Sequence, residues 1–182
     1  AVDSFGFAVG AAGAAVAGTA AVMAGKAVSA AASYEQALTE LEKVAGPETA
    51  DAMSESIREM AETIPLAQEE LAGIAADAAR FGVEGVDNIE AFTEAVSKMS
   101  TATNLSADES GEALAKIASQ SGLAFDEVEN VGSAINTLSN SFATSSTEIV
   151  DAMQRSTSSM STFGFSAQET AGFAAAANQL SE

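Results

Sequence analysis

Large apolar side chains recur at every third or fourth position from residue 65 onward, in blocks of about 13–17 residues. Each block ends in a turn rich in Gly, Asn or Ser, and the pattern returns about every 18–22 residues. This spacing places the apolar residues on one face of a helix, and no block alternates as a strand does. The sequence therefore predicts an all-α fold, an array of short amphipathic antiparallel helices.

Glycine and proline predict the first helix boundaries. An amphipathic helix over 34–44 ends at Gly46, and Pro47 lies in the first turn of the next helix; Pro65 opens a further helix.

The apolar positions predict which side of each helix is buried. We expect the Met and Phe positions to be core residues rather than part of a cofactor site. The expected core faces are Met53, Ile57, Met60, Ile64; Leu71, Ile74, Ala78, Phe81; Ile89, Phe92, Val96, Met99; Leu114, Ile117; Val128, Val131, Ile135, Leu138, Phe142; Ile149, Met153, Met160; and Phe173, Ala177, Leu180.

Serine and glutamate three residues apart predict where helices begin. Ser106–Glu109 and Ser166–Glu169 have the spacing of a capping box, in which each side chain hydrogen-bonds the other residue's backbone N–H. The preceding residues, Leu105 and Phe165, are expected to pack on the first helical turn. Ser145–Glu148 and Asp87–Glu90 repeat the spacing more loosely.

An Ala- and Gly-rich stretch, Ser4–Gly25, carries no charge. As a helix its 22 residues would be about 33 Å long, enough to cross a bilayer core. Two interpretations stay open: a helix buried in an oligomer, or a membrane-competent helix. The expected organisation is an apolar helix at 1–33, connecting helices at 34–64 and a helical core domain at 65–182.

Charge excludes several classes of partner. The chain has 26 acidic and seven basic residues and a net charge of −19, so DNA phosphates and anionic membranes should repel it. The apolar fraction of 47% is too high for a disordered acidic tail. A high content of acidic residues with few lysines is typical of proteins from very salty cytoplasm, where salt screens the repulsion between the carboxylates.

The inventory of reactive side chains argues against an enzyme. The chain has no Cys, His or Trp, so a serine nucleophile would depend on one of four lysines, and Lys98 and Lys116 occupy exposed helix positions. The acidic pairs Glu69–Glu70 and Asp108–Glu109 fall in first helical turns, where the helix dipole favours them. We therefore assign no catalytic, cofactor-binding or metal-binding residues.

Five segments follow one another in a defined order, although each alone is mostly helix sequence. The segments are SYEQALTELEKVAG (33–46), SESIREMAETIPLAQEELAGIAADAARFGVEG (54–85), MSTATNLSADESGEALAKIASQSGL (99–123), INTLSNSFATSSTEIVDAM (135–153) and STFGFSAQETAGFAAAANQL (161–180). In this order they resemble the core domain of tail tape-measure proteins of long-tailed phages and related viruses, and the resemblance covers roughly 30–182. The heavy acid load departs from the family's pattern and fits a virus of a salt-loving host.

The resemblance implies a structural protein of the virion tail, in the tube lumen or tip, that sets tail length and leaves at genome ejection. Its implied partners are the tail tube protein, tip or baseplate proteins, tail assembly chaperones and further copies of itself, three or six around the tail axis. The host membrane, through 4–25, is a further implied partner, and direct nucleic-acid binding is not implied.

This segment is too short to be the ruler itself. Even fully helical it would reach only about 270 Å, and its turns shorten it further. We expect a piece of a longer chain, a terminal or anchoring domain at one end of the tube. The alternative from another class is a membrane-associated pore-forming or secreted helical protein; an enzyme is the weakest reading.

Overall fold

The computed structural model describes residues 29–180. Within that range the chain forms eight α-helices and one 3-10 turn and has no strand, which confirms the all-α prediction. Links of four to six residues join the helices from α2 onward. The helices are α1 (29–45), α2 (Pro47–Thr63), α3 (Gln68–Arg80), α4 (Val86–Ala102), α5 (Ala107–Ser121), α6 (Val128–Ser141), α7 (Ser146–Thr162) and α8 (Ala167–Gln179), with the 3-10 turn at Phe125–Glu127.

The helices stack in two rows. From α2 onward, each helix contacts its successor and the next helix but one, so α2, α4, α6 and α8 form one row and α3, α5 and α7 the other. One buried apolar cluster runs through both rows, from Leu41 of α1 to Ala175 of α8. Stacking of this kind buries a continuous core between units that could not bury their apolar faces alone. The division of the chain at residues 64 and 65 stays a prediction.

Most of the predicted core faces are confirmed. Those of α2 and α4 are buried at every position, as are Leu114 and Ile117 of α5. Pro47 occupies the first turn of α2, as predicted. Gly122 ends α5 in the left-handed conformation (φ 68°), which a residue without a Cβ adopts at little cost.

The role predicted for Pro65 is wrong. Proline restricts the residue before it to extended conformations, and Ile64 has φ −101° and ψ 129°. Pro65 therefore follows the end of α2, and α3 begins only at Gln68. The proline lies in a link and does not open a helix.

The face predicted to be buried in α8 is also wrong. Phe173, Ala177 and Leu180 are exposed. The buried face consists of small residues, Ala167, Thr170, Ala171, Ala174 and Ala175, which contact α6 and α7. Alanine-rich sequence makes every side of this helix apolar, so periodicity alone selects the wrong face.

The prediction that the Phe positions of the helix faces belong to the core is wrong for Phe81 and Phe173, which are substantially exposed, and right for Phe92, which is fully buried. Phe163 and Phe165, outside the predicted faces, are exposed as well. Three of these four exposed rings flank or occupy α8 at the end of the array. Their exposure follows from position, because α8 has helices on one side only.

Three helices begin with a complete capping box, which confirms Ser106–Glu109, Ser166–Glu169 and the looser Ser145–Glu148. At α5 the Ser106 N–H donates to Glu109 Oε2 (2.8 Å), and the Glu109 N–H donates to Ser106 Oγ (3.2 Å). Leu105 is buried beside this start. Phe165 instead packs its ring on Phe173, in the second turn of α8, with centroids 5.5 Å apart.

Asp87–Glu90 is not a capping box. Gly85 caps α4 with φ 88°, and this left-handed glycine places Asp87 inside the first turn. Glu90 accepts a hydrogen bond from Ser56 Oγ of α2 (2.8 Å). The carboxylate therefore links two helices of the same row.

The start of α3 has half of a capping box. The Ala67 N–H donates to Glu70 Oε2 (3.0 Å), and Ala67 has the extended conformation of the capping serines. Alanine has no side-chain acceptor, so the Glu70 N–H donates to the Ala67 carbonyl instead (3.0 Å). The sequence has the glutamate of the box here without its serine.

Completing this box should stabilise the fold. We expect Ala67→Ser to raise the free energy of unfolding by about 0.5–1 kcal/mol, because the exposed hydroxyl can accept the Glu70 N–H without a backbone change. Urea unfolding followed by circular dichroism measures the change. Ser106→Ala, the reverse change at α5, should lower the free energy of unfolding by about 0.5–2 kcal/mol. A lower stability for Ala67→Ser, or an unchanged stability for Ser106→Ala, would contradict this account.

The capping glutamates make stability depend on pH. The backbone N–H and then the hydroxyl of Ser106 lower the pKa of the Glu109 carboxyl from its ordinary 4.5, and Glu148 and Glu169 have the same arrangement. The folded chain therefore binds this proton more weakly than the unfolded chain does. Each cap stabilises the fold above about pH 4.5, and this contribution is lost as the pH falls through the lowered pKa.

Glu109→Gln should reveal this dependence. Glutamine keeps an acceptor for the Ser106 N–H but has no charge. We expect the variant to be less stable than the unaltered chain at pH 7 and the difference to shrink as the pH falls below 4.5. Glu42→Gln is the control, because the Glu42 side chain is exposed on α1 and makes no hydrogen bond or ion pair with the residues between 29 and 180. A pH-independent difference for Glu109→Gln would refute the assignment.

Candidate functional site

A groove lies between α3 and α5 and has a volume of about 520 Å³. The exposed ring of Phe81 forms one wall, and Asp77, Asp108 and Glu112 contribute carboxylates. Two of these carboxylates already bind a cation of their own helix, Asp77 to Arg80 (2.6 Å) and Glu112 to Lys116 (2.5 Å). The groove can accept a cationic or apolar segment, but it holds no paired nucleophile and base.

The two lysines considered as bases are both held by carboxylates. Hydrogen bonds to Glu129 and then Glu94, each 2.8 Å long, raise the pKa of Lys98. Lys116 shares the groove with Ser119, but its ammonium is bound to Glu112 and its side chain is about half exposed. A lysine base needs apolar surroundings that disfavour its charge, and neither lysine has them.

The acidic pairs have structural partners. Glu109 belongs to the cap of α5, and Glu70 accepts the Ala67 N–H at the start of α3. Among residues 29–180 no group of three His, Cys, Asp or Glu residues is arranged to hold a metal ion. One buried side-chain oxygen in this range, Ser110 Oγ, has no hydrogen-bond partner, and Ser110 does not line the groove.

Charge divides the chain into two unequal parts. Residues 34–129 contain 21 acidic and five basic side chains, whereas residues 130–181 contain three acidic side chains and one basic side chain. We call the first range the acidic part. A field of this size repels anions over several ångströms and attracts cationic surfaces, and salt weakens it.

The few basic residues are mostly neutralised. Five of the six between 29 and 180 form ion pairs, and two of these pairs join different helices: Arg80 of α3 binds Glu40 of α1 (3.0 Å), and Lys98 of α4 binds Glu129 of α6 (2.8 Å). The exception is Arg155, which is exposed on α7. No basic patch forms on the part of the surface that the structure describes.

An apolar surface at the far end of the array was missed by sequence reasoning. We call it the C-terminal ridge; it consists of Phe163, Phe165, Phe173, Ala177 and Leu180, all exposed. The last three follow one another at spacings of four and three, on the side of α8 away from α6 and α7. The spacing alone favours a core face here, because the alanines on the opposite side of the helix are also apolar.

The membrane prediction concerns Ser4–Gly25, which lies outside the described residues. Within the described range, none of the helices combines the length and the apolar character that a bilayer crossing requires. The described surfaces thus consist of an acidic part with a groove and a neutral part with an apolar ridge.

Comparison with known proteins gives one match. The family model described as phage-related minor tail protein matches residues 54–181, which includes most of α2 and all of α3 to α8. No curated protein matches the chain, and no solved structure does. Because the match covers more than half of the chain and nearly the whole stacked array, the chain belongs to the phage-related minor tail proteins and has a structural role in a phage tail.

Proposed function

We propose that this chain is the folded, anchoring part of a tape-measure component, which acts in tail assembly, contributes to setting tail length and leaves the tail at genome ejection. The observation that carries the proposal is the family match over 54–181, which coincides with the stacked helices. Five sequence segments in tape-measure order add support. The stacked fold supports an end piece rather than the ruler, because seven links fold the chain back on itself.

Tail assembly should require the folded array. We expect Leu114→Asp, which places a carboxylate in the fully buried core, to abolish tails, because an unpaired buried charge costs several kcal/mol. Ser119→Asp, at an exposed position of the same helix, should leave tails of normal number and length. Electron microscopy of lysates counts and measures the tails. Normal tails from the Leu114→Asp virus would end the proposal.

The ruler function is expected outside this array. Inserting about 40 helix-forming residues elsewhere in the same gene should lengthen the tail by about 60 Å, at 1.5 Å per residue. An insertion of the same length beside exposed Ala143, in the link between α6 and α7, should leave tail length unchanged if tails assemble. If the second insertion lengthens the tail and the first does not, the array itself acts as the ruler.

Charge offers a reason why such a protein leaves the tube easily. The acidic part repels DNA phosphates, and nearly all basic side chains are bound to carboxylates, so expulsion needs to break few contacts with DNA. We expect replacement of about ten exposed acids of this part by Lys, leaving the capping glutamates unchanged, to slow ejection, because cationic side chains would bind phosphate. Replacement of the same acids by Gln is the control.

Rates of DNA release from purified virions, triggered in vitro, give the measurement. Ejection at the normal rate from the Lys variant would favour the other explanation of the charge, adaptation to a salt-loving host. The salt-loving host stays a prediction. The three or six copies, the position at one end of the tube, and the tube, tip and chaperone partners also stay predictions. The pore-forming alternative depends on 4–25, and nothing in the described residues favours it.

A further inference from the structure

We propose that the groove between α3 and α5 binds an arginine side chain of another protein, whose guanidinium contacts the ring of Phe81 and the carboxylates of Asp108 and Glu112. The groove follows one side of α5, and its lining residues there run from Asp108 to Gln120. This stretch of helix is about 18 Å long, which leaves room for a short segment of a partner.

The groove lies inside its row of helices and not at an end of the array. On one side, α3 is joined to α1 by the ion pair of Arg80 with Glu40 (3.0 Å). On the other side, α5 is joined to α7 by the hydrogen bond that Ser161 Oγ donates to the Gln120 carbonyl (3.3 Å). The groove is therefore open although the neighbouring positions of the row are filled.

The protein holds the ring of Phe81 in place at the wall of this groove. The ring packs against buried Phe92, with centroids 6.5 Å apart, and its Cε2 atom lies 3.6 Å from where a Cβ on Gly111 would be. The side chain is nevertheless 42% exposed. A fixed aromatic ring that is open to a groove suits a guanidinium, which stacks on such rings.

Carboxylates adjoin the place where the ring meets α5. Gly111 has Glu112 beside it and Asp108 three residues before it. Asp108 is exposed, and its side chain makes no hydrogen bond or ion pair with the residues between 29 and 180. Glu112 binds Lys116, but both side chains are about half exposed, so another cation can reach the pair.

This combination of groups favours arginine over lysine. A guanidinium is planar, stacks on a ring and donates parallel hydrogen bonds to a carboxylate, whereas an ammonium binds as a compact point charge. The acidic part of the chain repels nucleic acid, and a bare metal ion cannot use the apolar wall. The occupant that fits is therefore a protein segment with an arginine one helical turn from a large apolar side chain.

The small number of contacts limits the strength of this binding. One arginine and one apolar side chain at an open groove support a Kd of about 0.1–1 mM for an isolated peptide. The proposal does not depend on the tape-measure role, because the binding is measured on this chain alone.

Nuclear magnetic resonance titration of the full chain, labelled with ¹⁵N, tests the proposal. The probe is a helical Ala- and Gln-based peptide of about 14 residues, with one arginine and a leucine four positions later. The backbone N–H signals that shift should belong to residues 77–81 and 108–120. Lysine in place of the arginine should raise the Kd at least about threefold, and neutral citrulline at least about tenfold.

Two substitutions in the groove have distinct expected effects. Asp108→Asn should raise the Kd of the arginine peptide about threefold, because it removes the free carboxylate. Phe81→Leu keeps an apolar contact with Phe92 but removes the ring, so it should reduce the preference for arginine over lysine. Circular dichroism checks that each variant is folded.

Asp87→Asn is the matched control for Asp108→Asn. Each aspartate is exposed and is the second residue of its helix, so both substitutions remove the same charge from the same position. Asp87 lies on α4, outside the lining of the groove. The control should leave the Kd unchanged.

Several results would overturn the proposal. Equal Kd values for the arginine and lysine peptides would show that charge alone attracts the probe. Equal effects of Asp108→Asn and Asp87→Asn, or shifts spread evenly over α1 to α5, would show that the acidic part binds cations without a defined site. The absence of any shift at about 5 mM peptide would also refute binding in the groove.

Discussion

The small apolar area that each short helix can bury is the constraint on which the rest of this structure depends. Between residues 29 and 180, thirteen of the 34 buried apolar residues are alanines, most of them on α3, α5 and α8, and only one is a phenylalanine. An alanine contributes little apolar area when it is buried. Each helix must therefore bury area against both its successor and the next helix but one. Separate helices of 13 to 17 residues would be marginal in water, so the two rows stabilise each other.

The same constraint explains how the chain tolerates its charge. Because apolar residues occupy the inner face of each helix, the outer positions remain for carboxylates, and the acidic part contains 21 of them. Glutamates in the first turn of α3, α5, α7 and α8 also hold backbone N–H groups, so part of the acid load stabilises helix starts. The acids are thus partly structural, and only those without such partners are free to act on DNA or cations.

Sequence reasoning recovered what local chemistry determines and missed what tertiary packing determines. The caps at Ser106 and Ser166 follow from two side chains three residues apart, and the stop at Gly122 from one residue without a Cβ. The side of α8 that is buried depends on which surfaces α6 and α7 offer, and no pattern within Ala167–Gln179 records that. The groove beside Phe81 likewise depends on the packing of α3 on α5, which no pattern within either helix records.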